Sequence, residues 1–380
     1  VLLRELVEIL EERYDPSWAE PWDVVGLVCG DPDAEVASVL FAVDPVQAVV
    51  DEAVERGVDA LVVHHPLLLT PVSSVAATTP KGRVVHRLVR EGIALYTAHT
   101  SADVPAHGVN EAIAHTLDLQ DLSVLSPTDA GLDKLVVLVP TDAAEAVRTA
   151  IATAGAGRIG DYDSCTWSVV GEGRFRPLEG AHPTVGEVGC PEITAEVRVE
   201  AVVPRRLRAE VVAAMRAAHP YEEPAYDVHE LALAPGQTGP VSVRGHGRVG
   251  TLPEPMSLRD FAAYVDQRFP RTAQGVRVAG DPDRLVQRVA VGAGSGESLL
   301  EDASRAGVDV FVTSDLKHHR AGEHLEEPGA PALVDVAHWA AEWTWLPVVR
   351  AEVDREVAAR GYTVDTRVST IVTDPWTFRV

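Results

Sequence analysis

The run LVVHHPLLL, residues 61–69, carries two adjacent histidines. Imidazoles are metal ligands and acid–base groups, so the pair raises the question of what both could face together. Successive side chains of a strand point to opposite faces, and two imidazoles share one target only if the strand has already ended. Pro66 favours that ending, because it holds His65 out of the helical region and offers no N–H to a ladder. The stretch reads as a strand tip delivering two neutral nitrogen ligands. Chance adjacency is the competing reading of the pair taken alone.

Similar polar clusters follow other apolar runs. IALYTA delivers His99, Thr100 and Asp103; VDVFVT delivers Ser314, Asp315, Lys317, His318 and His319; ALVDVA delivers His338, with Glu342 four residues on. If the chain is helical from His338, positions i and i+4 share one face. Then His338 and Glu342 could reach one metal together, or Glu342 could bridge two. His64, His65 and His338 with Asp103 and Glu342 form a ligand set for borderline divalent ions: zinc, iron, manganese, cobalt or nickel. Five ligands exceed the need of one tetrahedral zinc with an open position. They suit two metals sharing a carboxylate, an arrangement that activates water at neutral pH and clamps an oxyanion. His99, Lys317 and His319 are candidates for acid, base or anion clamp. Each piece has an ordinary alternative. A lone His-x-x-x-Glu is usually a surface pair, Asp103 could be a cap or turn residue, and SDLKHHR could be an exposed helix start. Their common place at strand ends raises the metal reading above its parts. With a free-imidazole pKa of about 6.5, such a site should lose its metals as pH falls through roughly 6.

Strand ends require strands. From residue 1 to about 125, amphipathic helices alternate with short apolar runs, the pattern of a largely parallel α/β sheet. From about 130 to 240 the order becomes strand–helix–strand–strand–helix–strand, which suggests a ferredoxin-like α+β unit. Loops rich in Gly and Pro lie between its first helix and the long strand ITAEVRVEAVVP. From about 245 the first pattern returns. The economical reading is a discontinuous α/β domain, 1–128 and 244–380, with an α+β domain inserted at 129–243. VGAGSGES (291–298) reads as a tight strand-to-helix turn in preference to an anion cradle, since the Gly-Lys-Ser/Thr of a P-loop is missing. HPYEEPAYDV (219–228) reads as a structured loop, with a rim around a ligand mouth as the alternative.

Composition narrows the function classes. The 380 residues hold 33 Lys+Arg against 57 Asp+Glu, a formal net charge of -24. That field repels nucleic acid and anionic membranes. The basic stretch VPRRLRAEVV fits a solvated helix face. No apolar run approaches membrane-spanning length, and the N-terminal helix lacks the features of a signal peptide. Cys29, Cys165 and Cys190 are few and far apart, as in a reduced, cytoplasmic protein.

Together, WAEPWDVVGLVCGD (18–31), VVHHPLL (62–68), HTSADV (99–104), SDLKHH (314–319) and DVAHWAAE (335–342) resemble the Nif-three-like family of dinuclear metal proteins, the homologues of type 2 GTP cyclohydrolase I. By match to its motifs, the metal ligands would be His64, His65, Asp103, His338 and Glu342, with two divalent ions per chain. The middle part is similar to the insert of some bacterial members, which resembles the CutA and nitrogen-regulatory proteins. The resemblance implies a ring-shaped homohexamer. Val24, Ser314 and His318 depart from the family's usual residues, and none is a proposed ligand. The expected function is a metal-dependent hydrolase of a nucleotide or another small phosphorylated or cyclic substrate. The alternative is a non-catalytic metal-binding, metal-delivery or regulatory protein.

Overall fold

The computed structural model describes residues 1–128, 131–232 and 244–380. The chain divides into two units, Val1–Pro127 with Val243–Val380, and Thr128–Ser242. Both boundaries expected from sequence, 128/129 and 243/244, touch positions 129 and 243, which lie outside the described residues. In chain order the strands are β1 (Gly26–Cys29), β2 (Ser38–Ala42), β3 (Ala60–Val63), β4 (Ala94–Thr97), β5 (Gln120–Pro127), β6 (Leu132–Pro140), β7 (Thr166–Phe175), β8 (Glu192–Pro204), β9 (Tyr226–Leu231), β10 (Gly245–Ser257), β11 (Arg277–Ala279), β12 (Leu285–Ser295), β13 (Val310–Ser314), β14 (Ala332–Val336) and β15 (Asp365–Val368).

Among the described residues the first unit holds two sheets, ordered β1-β4-β3-β2-β15 and β11-β14-β13-β12-β10-β5. The first, expected from residues 1–125 as largely parallel, has three parallel pairings and one antiparallel, whereas the second is mixed, with two parallel and three antiparallel. Their parallel strands, β15-β2-β3-β4 and β12-β13-β14, come from the apolar runs that the sequence displays. Such runs are buried on both faces, which is why they lack polar alternation. Val39, Phe41 and Val62 join Val289, Val312 and Val334 in one core shared by the two sheets. Leu40, Leu61 and Val63, pointing the other way, pack with Val50 of the helix Gln47–Arg56 and Leu88 of the helix Pro80–Glu91. The antiparallel members are less legible. Pro253 and Pro255 of β10 fall where its pairing with β12 shifts register between Thr251 and Met256, so neither proline interrupts a regular ladder.

Trp345 anchors the shared core beneath the polar cluster. It is fully buried, its Nε1–H donates to the Tyr14 hydroxyl at 3.2 Å, and its ring stands edge-on to Tyr14 and to His64. Trp345→Ala should cost about 3–5 kcal/mol, the usual loss for truncating a buried aromatic. The urea-unfolding midpoint measures it, and a shift of under about 1 kcal/mol would show that the site collapses around the missing ring.

The second unit has its strands in the order β7-β8-β6-β9, with every pair antiparallel. The helices Ala144–Thr153 and Arg208–Ala218 supply Val147, Ile151, Val211 and Met215 to a core with Val137, Val139 and Val199. β7 occupies part of the stretch read from sequence as Gly- and Pro-rich loop. Its side chains are mostly exposed and it contains Gly171 and Gly173, so it carries no apolar period to betray it. No helix of the described residues is long and apolar enough to cross a membrane.

Candidate metal centre

Carboxyl ends of parallel strands from both sheets of the first unit supply the cluster, the place where ligands gather in α/β folds. β3 ends at Val63, yet the His64 N–H still donates to Ala42 O at 3.2 Å and the His65 N–H to Val43 O at 2.9 Å. These bonds pin both residues beyond the ladder. The His64 Nδ1 lies 2.9 Å from Ala98 O. A carbonyl only accepts, so the proton sits on Nδ1 and Nε2 keeps its lone pair. The same arrangement recurs with carboxylates. His65 Nδ1 meets Asp44 Oδ1 at 2.7 Å, His99 Nδ1 meets Asp23 Oδ1 at 2.9 Å, and His338 Nδ1 meets Asp315 Oδ2 at 2.7 Å. Carboxylate-buttressed imidazoles of this kind are the usual outer shell of a metal site.

The free edges converge on Glu342. Its Oε1 lies 2.8 Å from His338 Nε2 and 3.5 Å from His64 Nε2, and its Oε2 lies 2.9 Å from His65 Nε2. His65 and His338 bring their Nε2 atoms to 3.3 Å. Asp103 lies beside them, with Oδ1 3.8 Å from His64 Nε2. Two overlapping groups, His64–His65–His99 and His65–His338–Glu342, each bring their ligand atoms within 4.8 Å of one another. His64 Nε2 and Asp103 Oδ1 are buried without a hydrogen bond, and Glu342 Oε2 has only the His65 ring nitrogen within reach. Orphaned buried polar atoms are costly. A cation among them would satisfy all three at once, so this donor set fits a divalent metal.

The electrostatics agree. Burial opposes ionisation of Glu342, but His338, His65 and His64 outweigh it and hold its carboxyl well below the usual range. Burial likewise opposes charge on His65, yet Glu342 and Asp44 raise it to about 10. Glu342 and Asp315 raise His338 to about 11 against its burial. Burial and the Glu342 charge push Asp103 up to about 7. The cluster thus draws in positive charge, whether protons or a metal ion.

The five residues expected as ligands come to one place, and His99, expected as an acid or base, joins them. Lys317 and His319 do not. Lys317 is exposed and ion-paired to Glu297 at 3.2 Å. His319 is exposed on the helix His318–Glu326, its ring against His318. Sequence reasoning missed the anchoring roles of Asp23, Asp44 and Asp315; the one signal was their position just beyond an apolar run or beside a tryptophan. Asp315 adopts a left-handed backbone, φ 56°, which Asp tolerates better than most residues. The VGAGSGES segment is a wall of the cluster. β12 runs to Ser295 and enters the short 3₁₀ helix Gly296–Leu299 directly. Gly294 has φ +61°, and a Cβ there would lie 3.3 Å from Glu342 Oε1.

Asp315→Ala should leave the fold intact and weaken metal binding by about 10–100-fold, the usual effect of freeing a ligand imidazole from its buttress. Competition against a chromophoric chelator measures it; unchanged affinity would show that His338 needs no orienting partner.

The sequence profile of the Duf34/NIF3 (NGG1p interacting factor 3) family matches residues 1–375. The chain is 52% identical over 378 residues to a "GTP cyclohydrolase 1 type 2 homolog" of Mycobacterium tuberculosis, covering 99% of this chain and 97% of that one. It is 36% identical over 380 residues to the protein of the same description in Bacillus subtilis, covering 99% and 98%. Among solved structures it is similar to a Bacillus cereus protein related to NIF3, with a TM-score of 0.71, 36% identity, and coverage of 100% of this chain and 99% of that one.

Proposed function

The chain belongs to the Duf34/NIF3 family, and on that premise we propose that it is a dinuclear divalent-metal protein hydrolysing a nucleotide or another small phosphorylated or cyclic substrate. The observation that carries this reading is Glu342. It is buried, and its two oxygens turn to different imidazoles, His338 and His65. That is the posture of a carboxylate shared by two ions. His64, His65, Asp103, His338 and Glu342 would together hold the metal pair. A metal pair held there would supply an activated water and a clamp for an oxyanion. His99, tethered to Asp23, stands where it can carry a proton to or from a substrate, or add a further ligand. The hydrolase class rests on this donor set and on the description carried by the relatives.

The proposal extends to the rest of the chain. The second unit is an inserted ferredoxin-like domain, a reading supported by its antiparallel strand order. The protein works in the cytoplasm, in keeping with three unpaired cysteines, and assembles as a homohexamer. Its net charge of -24 disfavours nucleic acid as a partner.

Elemental analysis of the purified protein, followed by a hydrolysis screen over nucleotides and phosphoesters, tests the reading. Two metals per chain and a turnover lost in Glu342→Gln are expected. One metal per chain would overturn the dinuclear site. Two metals with no hydrolysed substrate would favour the non-catalytic metal-binding alternative.

A further inference from the structure

We propose that the second unit carries a binding site for a small organic cation, built on the buried carboxylate of Glu196. The site lies within that unit alone and is independent of the metal cluster.

The starting point is the face on which Glu196 sits. Along β8, Val197, Val199, Ala201 and Val203 face the helices, so Glu196 and its alternates project from the opposite side. There Arg198 and Lys134 pair with Glu200. Glu196 has no such partner. Its in-register neighbours are Pro140 on β6 and Gly171 on β7, neither of which offers a side-chain donor. It is only 8% exposed. Among the described residues its one hydrogen bond comes from the Tyr221 hydroxyl, to Oε1 at 3.2 Å. A carboxylate has roughly four acceptor positions, and the Tyr221 hydroxyl fills one of them.

The surroundings keep the carboxylate open instead of filling the space. A cavity of about 300 Å³ lies against Glu196, walled by Leu138, Phe175, Pro177, Pro183, Val185 and Tyr221. Gly173 makes room, since a Cβ there would lie 2.3 Å from Glu196 Oε2. The covering segment is fastened in place. The His182 N–H donates to Glu222 Oε1 at 2.8 Å, the Thr184 hydroxyl to Pro220 O at 2.7 Å, and the Gly189 N–H to Pro177 O at 2.8 Å. These bonds explain the acid- and proline-rich HPYEEPAYDV stretch, whose turn holds the rim. Of the arginines at the mouth, Arg174 is taken up by Glu172 at 2.8 Å and Arg176 is exposed.

The ligand chemistry follows from the lining. The unused oxygen positions of Glu196 call for N–H donors bearing positive charge. The rings of Phe175 and Tyr221, with centroids 6.0 Å apart, favour a cation beside an apolar body. The volume is at the small end for ligand pockets and suits a one-ring primary amine or a short guanidine.

Calorimetric titration of the full-length protein tests this, with phenethylamine, tyramine and agmatine as probes. Phenethyl alcohol serves as the neutral isostere and hydrocinnamate as the anionic one. At least one amine should bind saturably, about tenfold or more tighter than the alcohol, with hydrocinnamate silent. Glu196→Gln should lose that tenfold preference. Val185→Trp, which fills the cavity from the cover without touching Glu196, should abolish binding. The proposal is overturned if none of the three amines binds at millimolar concentration, if the alcohol binds equally well, or if both variants bind like the parent.

Discussion

Glu342→Gln should release both metals of the proposed pair while the protein stays folded. A site with about four ligands contributes roughly 10–16 kcal/mol, so one ligand is worth ~3 kcal/mol. A ligand shared by two ions is worth about twice that, on the order of 10⁴ in combined affinity. The substitution keeps size and shape and removes one charge. It strands no buried ion, because the imidazoles that raise their charge around Glu342 can simply give up their protons once it is gone. Folding stability should therefore change far less than metal content. Elemental analysis after desalting, with circular dichroism on the same sample, separates the two. A variant that still holds two metals per chain would remove Glu342 from the bridging position and with it the proposed site.

Glu342 is legible in the sequence through the spacing of its partners. Each expected ligand follows an apolar run, and in a parallel sheet such runs end on one edge. His64 and His65 after β3, Asp103 after β4 and His338 after β14 obey that rule. Parallel strands announce themselves because burial on both faces makes them continuously apolar. Two antiparallel strands, β7 and β10, have no such signature. β7 is exposed and interrupted by glycines, and β10 by prolines at its register shift. Without β10, the pattern of apolar runs in the first unit conceals that its two sheets meet over a shared core. The anchoring carboxylates are hidden for a different reason. Asp23, Asp44 and Asp315 act on ring nitrogens of residues 76, 21 and 23 positions away, and no local pattern encodes a pairing at that distance. Lys317 and His319 show the converse. They follow an apolar run too, but Lys317 turns to Glu297 and the helix leaves His319 in solvent. Position at a strand end places a residue near the edge; it does not aim the side chain.

Metal affinity should climb steeply with pH between about 7 and about 10, well above the limb near 6 that free imidazoles would give. In the metal-free cluster His65 titrates near about 10, His338 near about 11 and Asp103 near about 7. Each ion that binds must displace those protons. His65 and His338 face each other at 3.3 Å, so they repel when both are charged and titrate as a unit. Roughly one to two protons should leave per site occupied, and affinity should rise about 10²–10⁴-fold from pH 7 to 9. The stability of the metal-free protein runs the other way. The folded values of both histidines lie above the unfolded one, so their contribution is complete below about 6.5 and is lost as pH rises through about 10 and 11. Asp103 adds in the same direction, because an acid raised to about 7 disfavours the fold once it ionises. Glu342 opposes both only in acid, where its protonation would remove the partner of the imidazoles. Chelated protein should therefore be more stable at pH 6 than at pH 9, whereas the increment gained on adding metal should grow over the same interval. Urea unfolding of chelated and loaded samples at the two pH values, with proton release followed by calorimetry in buffers of different ionisation enthalpy, measures both trends. An affinity flat from pH 7 to 9 would mean that the imidazoles are already free of protons, and that Glu342 does not act on them as its distances require.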